Sequence, residues 1–198
     1  MQLKVNGQAI DITIENEKTV GDVLRAFEKE AAKNDATTVG ISLNGKEVAS
    51  ADFDTILSEP LTEATDIALS VISKGEILDS LRAISQDFTA LTARLSDIPV
   101  LLQSGKDKET AAIIVELTSK YDYFCHITMM SSLFPEIYSK IIIEDKPVSE
   151  FFKELLPLLS DFEHAIKEKD SVTLGDIAEY ELKPRLETIS NVLSAFVS

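Results

Sequence analysis

Cysteine is nearly absent from this chain of 198 residues. Cys125 stands alone, which excludes an internal disulfide and agrees with a reducing compartment. Two histidines, His126 and His164, cannot complete a structural zinc site with one cysteine. The seven glycines are scattered, so no phosphate-cradling loop, calcium loop or nucleophile elbow is present. No apolar run approaches the roughly 20 residues of a membrane span. The opening Met-Gln-Leu-Lys-Val-Asn-Gly has no apolar signal-peptide core. A cytoplasmic protein without membrane insertion is the expectation.

Basic residues are also scarce. Against 34 acidic side chains stand 19 basic ones, for a net charge of −15. Residues ahead of Gly75 hold 7 basic and 13 acidic groups and those after it 12 and 21, so the halves carry −6 and −9. Neither half is a basic module masked by an acidic tail. Phosphate backbones and anionic lipid surfaces need clustered Lys and Arg, so nucleic acid is not an expected partner. The acid excess also serves simply to keep the chain soluble.

Near Gly75 the hydrophobic period changes. Before it, Leu3 and Val5 alternate, Asn6-Gly7 supplies a type I′ turn, and Ile10, Ile12 and Ile14 alternate again, a hairpin pattern. Thr19 is placed to cap a helix, with Asp22 as the capping-box acid. Val20, Val23, Leu24, Phe27 and Ala31 share one helical face. Val39, Ile41 and Leu43 mark a third strand, and Asn44-Gly45 turns it into a short fourth at Lys46 to Val48. Phe53, Ile56 and Leu57 fall in a loop with one helical turn, and Ile67, Leu69 and Val71 close the series as a strand. A single helix across a mixed sheet buries all these sets together. The two Asn-Gly hairpins, the Thr19-Val20 helix start and the closing strand resemble the ubiquitin-like β-grasp fold over residues 1 to about 73. The resemblance implies a compact adaptor platform that docks proteins through its sheet face. Members acting as tags or sulfur carriers end in a free Gly-Gly, whereas here Ser73-Lys74-Gly75-Glu76 runs into a helix, so that acyl chemistry is not implied.

After Gly75 the spacing is helical. Ile77, Leu81, Ile84, Phe88, Leu91 and Leu95, continued by Ile98 and Leu102, form the seam of a bundle or coiled coil, with a kink or restart predicted at Pro99. Gly105 ends that segment. A helix from about Lys108 to Ser132 is apolar around much of its circumference. Pro135 and Pro147 bracket a connection containing Ile141-Ile142-Ile143. Phe151, Leu155, Leu159, Phe162 and Ile166 define another helix, disturbed at Pro157. The last runs from Ser171 to Phe196 along Leu174, Ala178, Leu182, Leu186, Ile189, Leu193 and Phe196, with a bend predicted where Pro184 leaves the Tyr180 carbonyl without its usual donor. The Leu102–Asp107 turn and the segment from Leu174 to Pro184 are similar to uncharacterised bacterial helical domains of unknown function.

Candidate chemistry thins out residue by residue. Cys125 and His126 are adjacent on a helix and diverge by about 100°, so a thiol-imidazole pair does not form and Cys125 is expected in the core. Asp161 and His164 have ligand spacing, yet no second such pair exists to complete a dinuclear site. Glu179 and Glu181 lie on nearly opposite sides of a helix, and Glu181 with Arg185 has ion-pair spacing. No catalytic, cofactor-binding or metal-ligating residue is assigned, and no cofactor is expected. The remaining stretch, with Tyr121, Tyr123, Met129, Met130, Phe134 and Tyr138, has the aromatic and methionine content of adaptable binding surfaces; a packed core is its other reading.

The sequence thus predicts an α+β chain: an N-terminal ubiquitin-like β-grasp module at 1–74 followed by an all-α helical bundle at 76–198. Its expected function is that of a non-enzymatic bacterial cytoplasmic interaction or adaptor protein. The partner is another protein, met through the six residues just named or the sheet face, or a second copy through the seam from Ile77 to Leu102. Two other readings stand beside it: a small-molecule-binding or catalytic domain with a pocket between the halves, and a chaperone for an exported amphipathic substrate.

Overall fold

The computed structural model describes residues 1–11 and 16–196, with side chains described as far as Ser194. It is α+β: a mixed sheet comes first and helices follow. The chain divides into two compact units, residues 1–76 and 77–198.

In the first unit, β1 (Gln2–Val5) and β2 (Gln8–Ile10) pair antiparallel across Asn6-Gly7, whose φ angles of 49° and 81° give the left-handed turn that Asn-Gly favours. Ile12 and Ile14, expected to continue the alternation, lie outside the described residues. The Asn6 side chain extends the pairing of β1: its Oδ1 accepts from the Val71 amide at 2.8 Å and its Nδ2 donates to the Val71 carbonyl at 3.0 Å.

The helix α1 (Val20–Ala32) opens with the complete capping box: Thr19 Oγ1 accepts from the Asp22 amide at 3.2 Å, and the Asp22 carboxylate accepts from the Thr19 amide at 3.0 Å. Strand β3 (Ala36–Leu43) turns through Asn44-Gly45 into β4 (Lys46–Glu47). A 3₁₀ turn at Ser50–Asp52 leads to the short α2 (Phe53–Leu57). Strand β5 (Asp66–Ser73) takes the centre of the order β2-β1-β5-β3-β4, parallel to β1 and antiparallel to β3.

Leu3, Val20, Val23, Leu24, Leu43, Ile56, Ile67 and Leu69 form the buried cluster between sheet and helix. Gly21 lets α1 approach α2, since a Cβ there would stand 2.7 Å from the Leu57 carbonyl oxygen.

The passage from β5 into helix needs no linker because Ser73 and Glu76 make a second capping box. The Ser73 amide and hydroxyl both donate to Glu76 Oε2 at 2.7 Å, and the Glu76 amide donates to Ser73 Oγ at 3.2 Å. From there α3 (Lys74–Leu95) runs into the second unit.

Ile77, Leu81, Ile84, Phe88, Leu91 and Leu95 are each 1% exposed or less. This corrects the expectation of self-association along that seam, because the unit's own helices already occupy it. The helix restarts at α4 (Ile98–Gln103) with Pro99 in its first turn, where a missing N–H costs nothing.

Gly105, at φ 67°, joins α4 to α5 (Asp107–Ser131). The Pro135–Pro147 connection, unassigned from sequence, holds a short α6 (Pro135–Tyr138) and a hairpin, β6 (Ile142–Ile143) with β7 (Lys146–Pro147). Helix α7 (Val148–Glu168) continues through Pro157.

The final helical run is α8 (Ser171–Asp176), a π-helical turn (Ile177–Leu182) and α9 (Lys183–Phe196). The wide turn is how the chain accommodates Pro184: the Lys183 amide reaches back five residues to Ala178, and the Arg185 guanidinium donates to the Glu181 carbonyl at 3.0 Å. Leu174, Ala178, Leu182, Leu186, Ile189 and Leu193 are buried as predicted; the Phe196 side chain lies outside the described residues. Inside this core Ser85 of α3 and Ser190 of α9 each donate a hydroxyl proton to the other's carbonyl at 2.8 Å. The reciprocal pair satisfies groups that burial would otherwise leave unpaired.

Candidate partner-binding surface

Helix α5 carries Tyr121, Tyr123, Met129 and Met130 of the aromatic and methionine stretch, Phe134 precedes α6 and Tyr138 ends it, and the two sides of α5 have different fates. Ile113, Leu117, Tyr121, Phe124 and Ile127 recur at helical spacing and are all buried. Phe88 of α3 lies 5.3 Å from Tyr121 and 5.6 Å from Phe124 between ring centroids, the latter edge-on, and Phe152 of α7 meets Phe124 at 5.3 Å. These tilted and edge-on contacts avoid the face-to-face sandwich that aromatic quadrupoles disfavour. Tyr121 is therefore a core residue. Burial drives its phenol well above the ordinary range, with Arg185 pulling the other way, and its buried hydroxyl has no hydrogen-bond partner among the described residues. Phe134, 7% exposed, is core as well. Both are corrections to the expected surface, since neither presents its ring to solvent.

The other four expected residues are reachable to different degrees. Tyr123 is 41% exposed and Met129 59%, while Met130 and Tyr138 are half-buried. Tyr123 and Met130 are seven residues apart, hence within about 20° on one helical line. The Tyr123 hydroxyl donates to Ser80 Oγ of α3 at 3.1 Å, which orients the ring along that flank. Met129 projects on the outward line. Val115, 69% exposed, falls within about 40° of the same line. Leu133 follows the helix end at 47% exposure. Val115 was hidden in the apolar run Ile113-Ile114-Val115; only its rotation of about 200° from Ile113 sets it outside.

Cys125 is exposed, against the expectation of a core thiol. It stands one position past the buried Phe124 and so turns away from the core. Partial desolvation first, and Asp122 second, hold its thiol above the ordinary value, so it stays protonated and a poor nucleophile at neutral pH. His126, Asp161 and His164 are all exposed. Among the described residues no group of three or more His, Cys, Asp or Glu side chains is placed to hold a metal ion. Glu181 and Arg185 form the ion pair their spacing predicts, at 2.6 Å. No helix among the described residues is long and apolar enough to cross a membrane.

Residues 79–192 match a domain of unknown function, DUF8042, and the chain belongs to that family. Residues 1–73 match the TP0873 N-terminal domain. A protein of Treponema pallidum (strain Nichols), named there only as an uncharacterized protein, is 32% identical over 191 residues, spanning 96% of this chain and 95% of its own. The two chains thus share both units. No solved structure matches this chain.

Proposed function

We propose that the protein is a non-enzymatic bacterial adaptor of the cytoplasm, built from a ubiquitin-like β-grasp domain at 1–74 and a helical bundle at 76–198. The sheet order β2-β1-β5-β3-β4, with parallel central strands and one helix across a face, supports the β-grasp reading. So does the helix start at the Thr19–Asp22 capping box. The capping box at Ser73 and Glu76 commits the end of β5 to a helix, so conjugation through a free Gly-Gly has no part in the reading.

One observation carries the adaptor role: Met129 and Tyr123 remain exposed on a helix whose opposite side is fully used by its own core. Flexible thioethers and exposed aromatic rings adapt to varied apolar partners at little conformational cost. With an acid excess of −15, the partner is another protein rather than a nucleic acid.

The test is a pair of charge substitutions, Met129→Glu and Met130→Glu, in the full chain. Capture of the partner from the native cell is expected to fall by about tenfold or more, as for the central residues of a binding patch. The melting temperature is expected to stay within a few degrees, because Met129 already faces water and Met130 is only half-buried. Undiminished capture, or loss of the fold, would overturn the assignment of this surface.

A further inference from the structure

At the margin of the sheet opposite β2, one strand is only half covered. β4 pairs just Ser42 and Leu43 of β3, and the Val48 amide adds one bond to the Ile41 carbonyl at 2.9 Å. From Gly40 back to Ala36, β3 has β5 on one side and, among the described residues, no strand on the other. The register with β5 slips between Thr38 and Gly40. This bulge leaves Val39 43% exposed.

A groove of about 490 Å³ runs beside the bare stretch, between it and α1. Leu24, Val39, Ile41, Val48 and Phe53 give it apolar walls, and among the described residues Glu28 is the one charged side chain lining it. Glu28 Oε1 accepts from the Thr38 amide at 2.8 Å, holding an edge donor that an incoming carbonyl could take instead. Thr38 Oγ1 is buried at the same place with no hydrogen-bond partner among the described residues.

A free edge beside an apolar groove is the arrangement that recruits an added strand: main-chain bonds give affinity and alternate side chains enter the groove. We infer that Ala36 to Gly40 bind an extended segment of a partner protein as a sixth strand, one that alternates apolar with small polar residues and carries a lysine or arginine for Glu28. Charge selects this occupant over a second copy. A second copy offering the same edge would bring Ala36-Thr37-Thr38-Val39-Gly40, which has no cation, and another Glu28 against the first. The inference shares with the adaptor reading only the premise that the partner is a protein, and it uses a different surface.

The probe is a fluorescein-labelled peptide of alternating valine and threonine with lysine at both ends, titrated into the full chain and followed by anisotropy. A twin peptide with glutamate ends serves as the charge control. Saturable binding of the lysine peptide is expected, with hydrogen-exchange protection rising at Ala36 to Gly40. The double variant Val39→Lys, Phe53→Glu changes two solvent-exposed side chains and is expected to bind about tenfold more weakly with an unchanged melting curve. Glu28→Gln keeps the acceptor for the Thr38 amide and removes the charge, so the preference for lysine over glutamate ends should disappear. Met129→Glu with Met130→Glu should leave peptide binding as it is; loss of partner capture in that variant alone bears on the adaptor surface and not on this edge. Equal affinity for both peptides, protection elsewhere than β3, full binding by the Val39, Phe53 variant, or a dimer of the parent that this variant dissociates would each overturn the inference.

Discussion

The sheet unit and the helical unit hide their apolar residues to different depths. In the helical unit the seam is sealed: Ile77, Leu81, Phe88, Phe124, Leu182 and Ile189 are all fully buried. In the sheet unit the buried cluster leans on residues only partly covered, among them Phe27, Ile41, Val48, Leu57 and Val71. The reason is size, since a chain of about 75 residues has too much surface for its volume to bury every apolar group. The smaller unit therefore draws a larger share of its stability from turns and caps, and keeps an open groove along β3. The larger one relies on packing, yet it too leaves large apolar side chains in water, among them Val115, Met129, Leu156, Val172 and Tyr180.

Core truncations should separate the two most sharply. Phe88→Ala removes a ring that meets both Tyr121 and Phe124 and should cost about 3–5 kcal/mol in the helical unit. Ile67→Ala, near the start of the central strand β5, should cost about 2–5 kcal/mol in the sheet unit. Residue-resolved hydrogen exchange would assign each loss to its unit, and equal loss of protection in both from either change would break the contrast.

Next comes the cap on α1. Thr19→Ala deletes one half of the capping box and should cost about 1 kcal/mol. In a unit that relies on caps, that loss should raise exchange through the whole of β1, β3 and β5 and not merely fray the helix end. Fraying alone would show that the sheet is less dependent on α1 than its modest core implies.

The smallest effect is a pH dependence. The Asp22 carboxylate is held well below the usual range, chiefly by the Lys18 amide and then by Arg25 and Thr19. A depressed folded-state value adds stability that is complete above the unfolded carboxylate's value of about 4 and is lost as pH falls below it. Asp22→Asn should therefore melt below the parent at pH 7, with the gap closing on acidification. A gap as wide at pH 2 as at pH 7 would mean that the amide disturbs geometry and not charge.

Much of this architecture was legible because its causes are local. Asn6-Gly7 and Asn44-Gly45 reach the left-handed angles their chemistry favours. Thr19 and Asp22 close the predicted box. By contrast the β6–β7 hairpin turns through Glu144 and Asp145, at φ 53° and 60°, with no glycine to announce it. The run Ser73-Lys74-Gly75-Glu76 into a helix is legible too, and the Ser73–Glu76 box is the local cause of that passage. The candidate surface was legible only in outline: Tyr121 and Tyr123 are the same residue type two positions apart, and one is core while the other is exposed.

Hydrophobic period, turn residues and caps act over four or five positions, so the sequence alone determined that strands give way to helices near Gly75 and where most elements begin. Which side chains stay in water depended on segments far away along the chain. Phe88 and Phe152 cover Tyr121 and Phe124, whereas Met129 is left exposed. β4 ends after two residues and leaves the edge of β3 bare. Exposure is a property of what packs opposite a residue, and only the tertiary structure decides that.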